Sequence, residues 1–344
     1  MKTARVVGFE RNPLGMIERI CLALLCLAIA KVLMGAAPAS GASQSLWVAN
    51  SDAPDEAVQE FTPAELLMTG SPSPTLFEIT GDSVYGLAFD KTEDLWTELN
   101  GNQIAETSPT QLANLGINDT PTPVAFITSS SFVNLAGLTF DHKGNLWAAD
   151  AKLGAVDEIS KKQLAAGTAS LTPAIIVTIS DSNYINFITF DKSGNLWVSD
   201  EDGDRVYELK AKQLKKTRTV TPAVILSSAT FDDPGQIAFD GGGNLWITNY
   251  YGETVQKFSK KSIKKSGSPS AAVTISGTGD SLNGPWGLAF DASGNLWISN
   301  YNDGSVSEFS TSQIKSSGDP TPAVHLTNTG TDYFPYQITF GPSF

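Results

Sequence analysis

The 344-residue sequence predicts an all-β protein: a six-bladed β-propeller of four-stranded antiparallel blades, its ring closed by a C-terminal innermost strand joined to N-terminal strands. Three observations carry this. A Phe-Asp then Leu-Trp signature recurs about every 50 residues, each unit holds four strand-length segments without a long helix, and the incomplete units at the two ends complement each other.

The N-terminal segment comes first. Lys2, Arg5, Arg11 and Arg19 precede the apolar run Ile20 to Ala30, which leads into the small-residue stretch Gly35 to Ser43. This is the pattern of a secretory signal peptide over residues 1–42, cleaved after Ala39 or Ala42. The apolar run is shorter than the roughly 20 residues of a membrane span, so no span is expected after cleavage. Cys21 and Cys26 leave with the signal, and the mature chain then has no disulfide and no thiolate ligand. Residues 1–42 hold five basic and two acidic side chains, so the mature propeller, 43–344, carries 18 and 34, a net charge of −16.

The signature reads GLAFDKTEDLW, GLTFDHKGNLW, FITFDKSGNLW, QIAFDGGGNLW and GLAFDASGNLW. Trp47, Trp96, Trp147, Trp197, Trp246 and Trp297 follow one another at 49 to 51 residues, and the phenylalanines from Phe89 to Phe340 keep the same period. One residue type at one interior position is what packing between blades demands. Trp286 stands outside the series. In each unit the first strand ends in Asp-x-x-Gly-Asn, where Asp caps a turn and Gly supplies a positive φ. The second strand is Asn-Leu-Trp-x-x-Asn/Asp. A polar turn and a third strand follow, for example Ser305 to Phe309. A one-turn helix then opens on a capping box: Thr62 with Glu65, Ser108 with Gln111, Ser160 with Gln163, Ser310 with Gln313. The fourth strand follows a proline, as in Pro173 to Ile179 and Pro322 to Leu326.

Closure is legible at the ends. Leu46 to Asn50 is a second strand with no first strand before it, and Tyr336 to Phe340 is a first strand with no second strand after it. Together they complete a sixth blade and remove the exposed edges of an open array.

The composition, 41% hydrophobic and 17% charged, excludes a disordered chain, and the acidic balance argues against nucleic acid as a partner. In such a blade the first-to-second and third-to-fourth connections emerge on one face, here face A, and the second-to-third turns and blade-to-blade links on the other, face B. Eleven of the mature basic residues, Lys161, Lys162, Lys210, Lys212, Lys215, Lys216, Arg218, Lys260, Lys261, Lys264 and Lys265, fall in face A connections of three consecutive blades. They make a basic sector suited to docking on an anionic envelope component, or simply a solvated rim. Face B collects Tyr85, Tyr184, Tyr250, Tyr251, Tyr301, Tyr333 and Tyr336 with Trp286, Phe231 and Phe334, interleaved with Asp232, Asp233, Asn283 and Asp332. Exposed rings among amides and carboxylates suit a sugar, peptide or other small-molecule ligand. The candidate binding residues are Tyr85, Asn186, Asp233, Asn283, Trp286 and Tyr336, with Trp286, Tyr336 and Tyr85 meeting near the axis. The position third after each Trp holds Asn50, Leu99, Asp150, Asp200, Asn249 and Asn300, whose Asn and Asp members read as strand-end Asx turns, and Asp200, Glu201, Asp202 and Asp204 read as a solvated acidic turn.

The GLAFDxxGNLW units resemble the NHL-repeat and regucalcin/gluconolactonase-like six-bladed propellers across the whole mature chain. The resemblance implies this architecture, and in the gluconolactonase type a divalent metal held just before the Gly-Leu of innermost strands. Those positions here are Tyr85, Ala136, Asn186, Gly235, Trp286 and Tyr336, of which Asn186 is a possible ligand, with Asp233 nearby. The set is incomplete, so no cofactor is expected, a divalent cation being the exception to watch. The chain also resembles streptogramin lyases distantly, and such a lyase implies paired histidines. His142, in a first-to-second turn, and His325, in a fourth strand, are kept apart by the repeat. No catalytic set emerges. The expectation is a secreted or periplasmic monomer acting as a binding scaffold, with a lactonase-like hydrolase bearing a degenerate metal site as the alternative.

Overall fold

The computed structural model describes residues 44–51, 58–72, 74–77, 83–114, 121–277, 281–327 and 333–344. The segment expected to be a signal peptide, both cysteines and Asp332 lie outside them. Six antiparallel sheets form the blades, each ordered from innermost to outer strand as the repeat predicts. The innermost strands are Leu87–Phe89, Leu135–Phe140, Ile185–Phe190, Pro234–Phe239, Pro285–Phe290 and Pro335–Pro342, numbered here as blades 1 to 6. Blade 6 is the composite one. Pro335–Pro342 pairs antiparallel with Gln44–Asn50, and Val58–Phe61 and Thr75–Phe77 complete the sheet.

The repeat tryptophans explain the angle between blades. Each ring lies edge-on to the phenylalanine of the next innermost strand: Trp47 to Phe89 at 5.2 Å, Trp96 to Phe140 at 6.4 Å, Trp147 to Phe190 at 6.0 Å. Trp197 to Phe239, Trp246 to Phe290 and Trp297 to Phe340 continue it at 5.7, 5.8 and 6.1 Å. All six are buried, and the apolar clusters around them draw on two adjacent blades each. The core is therefore a ring of six seams, each driven by aromatic burial with edge-to-face geometry.

Polar repeat residues fasten each blade within itself. Asp141 Oδ1 accepts from Lys143 N and Asn145 N at 2.8 and 2.9 Å, and Gly144 sits at φ 86°. Asn145 Oδ1 in turn accepts from Lys161 N, the first residue of the one-turn helix Lys161–Leu164, at 3.0 Å. Asn195, Asn244 and Asn295 repeat that bond to Ala211, Lys260 and Thr311. The motif thus ties the first turn to the third-to-fourth connection. Blade 1 departs, with Glu93 at φ 67° in place of glycine and Asp94 in place of asparagine. Reciprocal capping bonds form at Thr62/Glu65, Ser108/Gln111 and Ser160/Gln163. At Ser310 only half forms, because Gln313 N turns to the Ser310 carbonyl.

A second fastening runs around the outside. After the third strand of each of blades 2 to 6 the chain reaches back to the outer strand of the preceding blade and pairs in parallel: Ala169 and Ser170 with Ile127 and Thr128, and Arg218–Val220 with Val177 to Ile179. Gly267, Gly318 and Gly70 make the same contact singly with Leu226, Ile275 and Leu326. Just before each contact a hydroxyl accepts an edge-strand N–H: Thr168 from Phe126, Thr217 from Ile176, Ser266 from Ile225, Ser317 from Thr274, Thr69 from His325. These clasps occupy donors that an outer strand would otherwise present to a neighbouring molecule.

One buried residue opposes the fold. Asp157, on the third strand of blade 2, is 1% exposed and neither carboxyl oxygen has a hydrogen-bond partner. Burial, with Asp150 adding to it, pushes its pKa up to about 7. A carboxyl raised in the folded state stabilises most below its unfolded pKa, and that contribution is lost as pH rises through about 7. Asp157→Asn is therefore expected to raise unfolding free energy at about pH 8 by on the order of 2–4 kcal/mol and by roughly a third of that near pH 5, as urea unfolding at the two pH values will show.

Candidate functional site

The site is built from one position of the innermost strand, repeated around the axis: Tyr85, Ala136, Asn186, Gly235, Trp286 and Tyr336. The next position must be small wherever two strands crowd together. A Cβ on Gly86 would stand 2.1 Å from the Ala136 carbonyl oxygen, and one on Gly287 2.2 Å from that of Tyr336. Three units depart from glycine there and fill the axis instead. Phe187 is 1% exposed. Gln337 Oε1 accepts from Leu87 N and Leu138 N, both at 3.2 Å, while its Nε2 donates to the Leu138 carbonyl at 3.1 Å. Gln236 Oε1 accepts from Leu288 N at 3.0 Å and Ile338 N at 3.1 Å, and its Nε2 donates to the Ile338 carbonyl at 3.0 Å. Two amides and a ring thus stopper the channel at mid-height. On the face A side remains a cavity of about 530 Å³, walled by Leu87, Leu138, Ile188, Ile237, Leu288 and Ile338 with the two glutamines.

On the face B side the aromatic residues converge. Tyr336 meets Tyr85 at 5.3 Å, Trp286 at 5.1 Å and Phe187 at 5.3 Å between ring centroids. Tyr250 stands edge-on to Trp286 at 5.0 Å, and Tyr301 lies 6.1 Å from it. The expected meeting of Trp286, Tyr336 and Tyr85 near the axis is present. Their exposure differs from expectation. Trp286 is 5% exposed, Phe231 is packed against Phe258 in the seam of blades 3 and 4, and Tyr333 is buried. What the mouth offers is half-buried tyrosine, namely Tyr85, Tyr184, Tyr250, Tyr301 and Tyr336, with Tyr251 fully outside.

Asn186 links this cluster to charge. Its Nδ2 donates to Tyr336 Oη at 2.6 Å and to Glu201 Oε2 at 2.7 Å, while its Oδ1 is buried without a partner. The Trp286 Nε1–H is likewise buried; it points toward the Tyr336 hydroxyl without reaching hydrogen-bond geometry. Burial, then the fields of Asp233, Asp202 and Asp200, push Glu201 up to about 7 despite the Asn186 bond. Asp233 reaches about 6 through burial and the fields of Asp204, Asp202 and Asp232. Burial and Glu201 hold the Tyr336 hydroxyl well above its ordinary range. A near-neutral carboxyl that can hold or release a proton therefore sits beside a phenol and an amide.

Of the six candidate residues, Tyr85, Asn186, Trp286 and Tyr336 are assembled, and Asp233 lies within the field of Glu201. Asn283 enters through its main chain, its N–H donating to Asn300 Oδ1 at 3.2 Å and its carbonyl accepting from Asn302 N. Three of the residues third after a Trp hold the incoming link rather than closing an Asx turn: Asp150 accepts from Val133 N and Asn134 N, Asp200 from Asn183 N, Tyr184 N and Tyr207 Oη, and Asn300 from Asn283 N. Asn249 donates instead to Thr254 Oγ1 across its own turn, and the buried Asn50 amide has no side-chain partner. The acidic turn is solvated only at Asp202 and Asp204, since Glu201 turns inward. Glu201 was missed as a site residue, yet one repeat column marks it, for the fourth residue after Trp is Glu201, Tyr250 and Tyr301 in successive blades. His142 is exposed in the blade 2 turn, and His325 bonds Ser307 on the rim of blade 5, so the two stay apart. Among the described residues no three His, Cys, Asp or Glu side chains are grouped to hold a metal ion, and no helix is long and apolar enough to cross a membrane. In the basic sector Lys210 pairs with Glu208 at 2.6 Å and Arg218 binds main-chain carbonyls, while the other lysines are exposed.

No protein-family model matches the chain, and no curated protein matches it. Among solved structures it is similar to virginiamycin B lyase from Staphylococcus aureus, at 16% identity over 75% of this chain and 77% of that chain, with a TM-score of 0.50. It is also similar to a streptogramin B lyase, at 14% identity over 88% and 83% of the two chains and a TM-score of 0.51. A protein of unknown function from Bacteroides caccae shares 10% identity over 88% of this chain and all of that one, with a TM-score of 0.58. At these identities the likeness is one of fold.

Proposed function

We propose that this β-propeller is a ligand-binding scaffold of the NHL/gluconolactonase-like kind, exported by the signal over residues 1–42, with its binding site at the face B mouth. The observation that carries the reading is the pair of buried, unpartnered polar groups, Asn186 Oδ1 and Trp286 Nε1–H, beneath half-buried tyrosines. An orphaned acceptor and donor each cost free energy that a ligand of matching polarity recovers. Export leaves it a secreted or periplasmic monomer, and the exposed lysines of face A supply a separate surface for an anionic envelope component.

Mutation separates binding from folding. Tyr85→Ala is expected to weaken binding of whichever member of a glycan, lactone and short-peptide panel the protein takes by about tenfold, with a thermal midpoint shift of no more than about 3 °C. Binding at full strength in this variant places the site elsewhere.

The poise of Glu201 near neutrality favours a second reading, a gluconolactonase-like hydrolase in which Asn186 and Asp233 are the remnant of a metal site. A relation to the streptogramin lyases in chemistry has less support, because His142 and His325 lie in different blades. Lactone hydrolysis with added divalent cations, measured on Asn186→Ala, decides: activity that is metal-dependent and lost in the variant supports the hydrolase, and no activity under any cation removes it.

A further inference from the structure

The face B mouth holds acid without a counter-charge. Its described turns and links carry eight acidic residues, Glu201, Asp202, Asp204, Asp232 and Asp233 among them, whereas their basic residues are Lys152 and Arg205. Arg205 is directed at the Asp181 carbonyl, 3.4 Å away. The described ion pairs, Lys210 with Glu208 and Lys257 with Asp240, involve neither Glu201 nor Asp233. Around the two carboxyls stand aromatic residues, whose ring faces are also electron-rich: the Asn186 amide bridges Glu201 Oε2 and Tyr336 Oη, Glu201 N donates to the Tyr184 carbonyl, and Tyr250 N donates to the Asp233 carbonyl.

We propose that the face B mouth binds an organic ammonium, a protonated amine on an apolar body, with its charge against Glu201 and Asp233 and its body against Tyr336 and Tyr250. The inference rests on the assignment of face B as the binding site and names its ligand class. Carboxyls and ring faces together are the surroundings that favour a desolvated cation, and the buried Asn186 Oδ1 is an acceptor in want of an N–H donor. A neutral sugar supplies donors but leaves the carboxyls in each other's field.

Isothermal titration of the signal-cleaved protein with 2-phenylethylamine, 2-phenylethanol, N-acetylglucosamine and calcium chloride tests this. The amine is expected to bind at least about tenfold more tightly than the alcohol, and Glu201→Gln is expected to remove that preference while the thermal midpoint holds. Equal binding of amine and alcohol, or displacement of the amine by calcium at equimolar concentration, overturns the ammonium class. If N-acetylglucosamine binds, loses affinity in Tyr85→Ala, and the amine does not bind, face B remains the site and only this inference fails. Amine binding unchanged in both Glu201→Gln and Tyr85→Ala rejects the two readings together.

Discussion

Gly287→Ala is expected to lower the unfolding free energy by about 3–5 kcal/mol and the thermal midpoint by roughly 10 °C. The added methyl would lie 2.2 Å from the Tyr336 carbonyl oxygen, 2.5 Å from Ser299 Oγ and 3.1 Å from Gln236 Oε1. The nearest obstacle is main chain, which a rotamer change cannot relieve. Ser299 Oγ is also committed, accepting from Gly287 N at 2.8 Å and donating to the Tyr336 carbonyl at 2.9 Å. The innermost strand of blade 6 must therefore retreat, and with it go Tyr336 and the Gln337 amide. Gly241→Ala is the control. Nothing lies within 4 Å of a Cβ there, and Ala292 fills the same turn position in blade 5. Its effect is expected to stay within about 0.5 kcal/mol. Urea unfolding of both variants checks the pair, and equal stabilities would mean that the strands at the axis are not in rigid contact.

Gln337→Leu is expected to cost about 3 kcal/mol, although leucine is apolar, similar in size and enters a site only 6% exposed. The loss comes from the main chain. Leu87 N and Leu138 N share the glutamine oxygen, and the Leu138 carbonyl takes its N–H, so substitution strands three polar groups in blades 1 and 2. An unsatisfied buried group costs more than an ordinary hydrogen bond contributes. Gln236→Leu should behave alike, and because both amides bear on the strand that holds Gln337 and Ile338, the double variant should depart from additivity. A loss below about 1 kcal/mol for Gln337→Leu, by thermal and chemical unfolding, would show water taking the place of the amide.

The architecture was legible because its determinants are local and repeated. Trp47 through Trp297 report one seam each, and the unpaired segments Leu46 to Asn50 and Tyr336 to Phe340 predict the composite blade that Gln44–Asn50 and Pro335–Pro342 form. The convergence of Trp286, Tyr336 and Tyr85 followed from strand order alone. Burial did not follow, because whether Trp286 faces water depends on Tyr250, Phe187 and Tyr336 arriving from three other blades. Gln337 and Gln236 act across 199 and 102 residues of sequence, on backbone groups that leave no mark in composition. Glu201 looked like a member of a solvated acidic turn until Asn186, one strand further in, was placed beside it. The clasp hydroxyls Thr69, Thr168, Thr217, Ser266 and Ser317 were hidden for the opposite reason: serine and threonine are common, and only the closed ring shows which N–H each one meets.

Those described clasps all point the same way round the ring, each of blades 2 to 6 gripping the one before it. A grip between unlike surfaces, repeated by a constant rotation, either returns to its start or continues as a filament. Return is secured here by the N-terminal segment, where Gly70 N donates to the His325 carbonyl at 2.9 Å and Thr327 N to the Gly70 carbonyl at 2.7 Å. If that segment lets go, one molecule displays an empty grip at its N-terminal end and an ungripped strand on blade 5. A second opened molecule fits both as well as the first fits itself. Head-to-tail polymer thus needs no surface beyond the one that makes the monomer, and intramolecular proximity is what keeps the chain a ring.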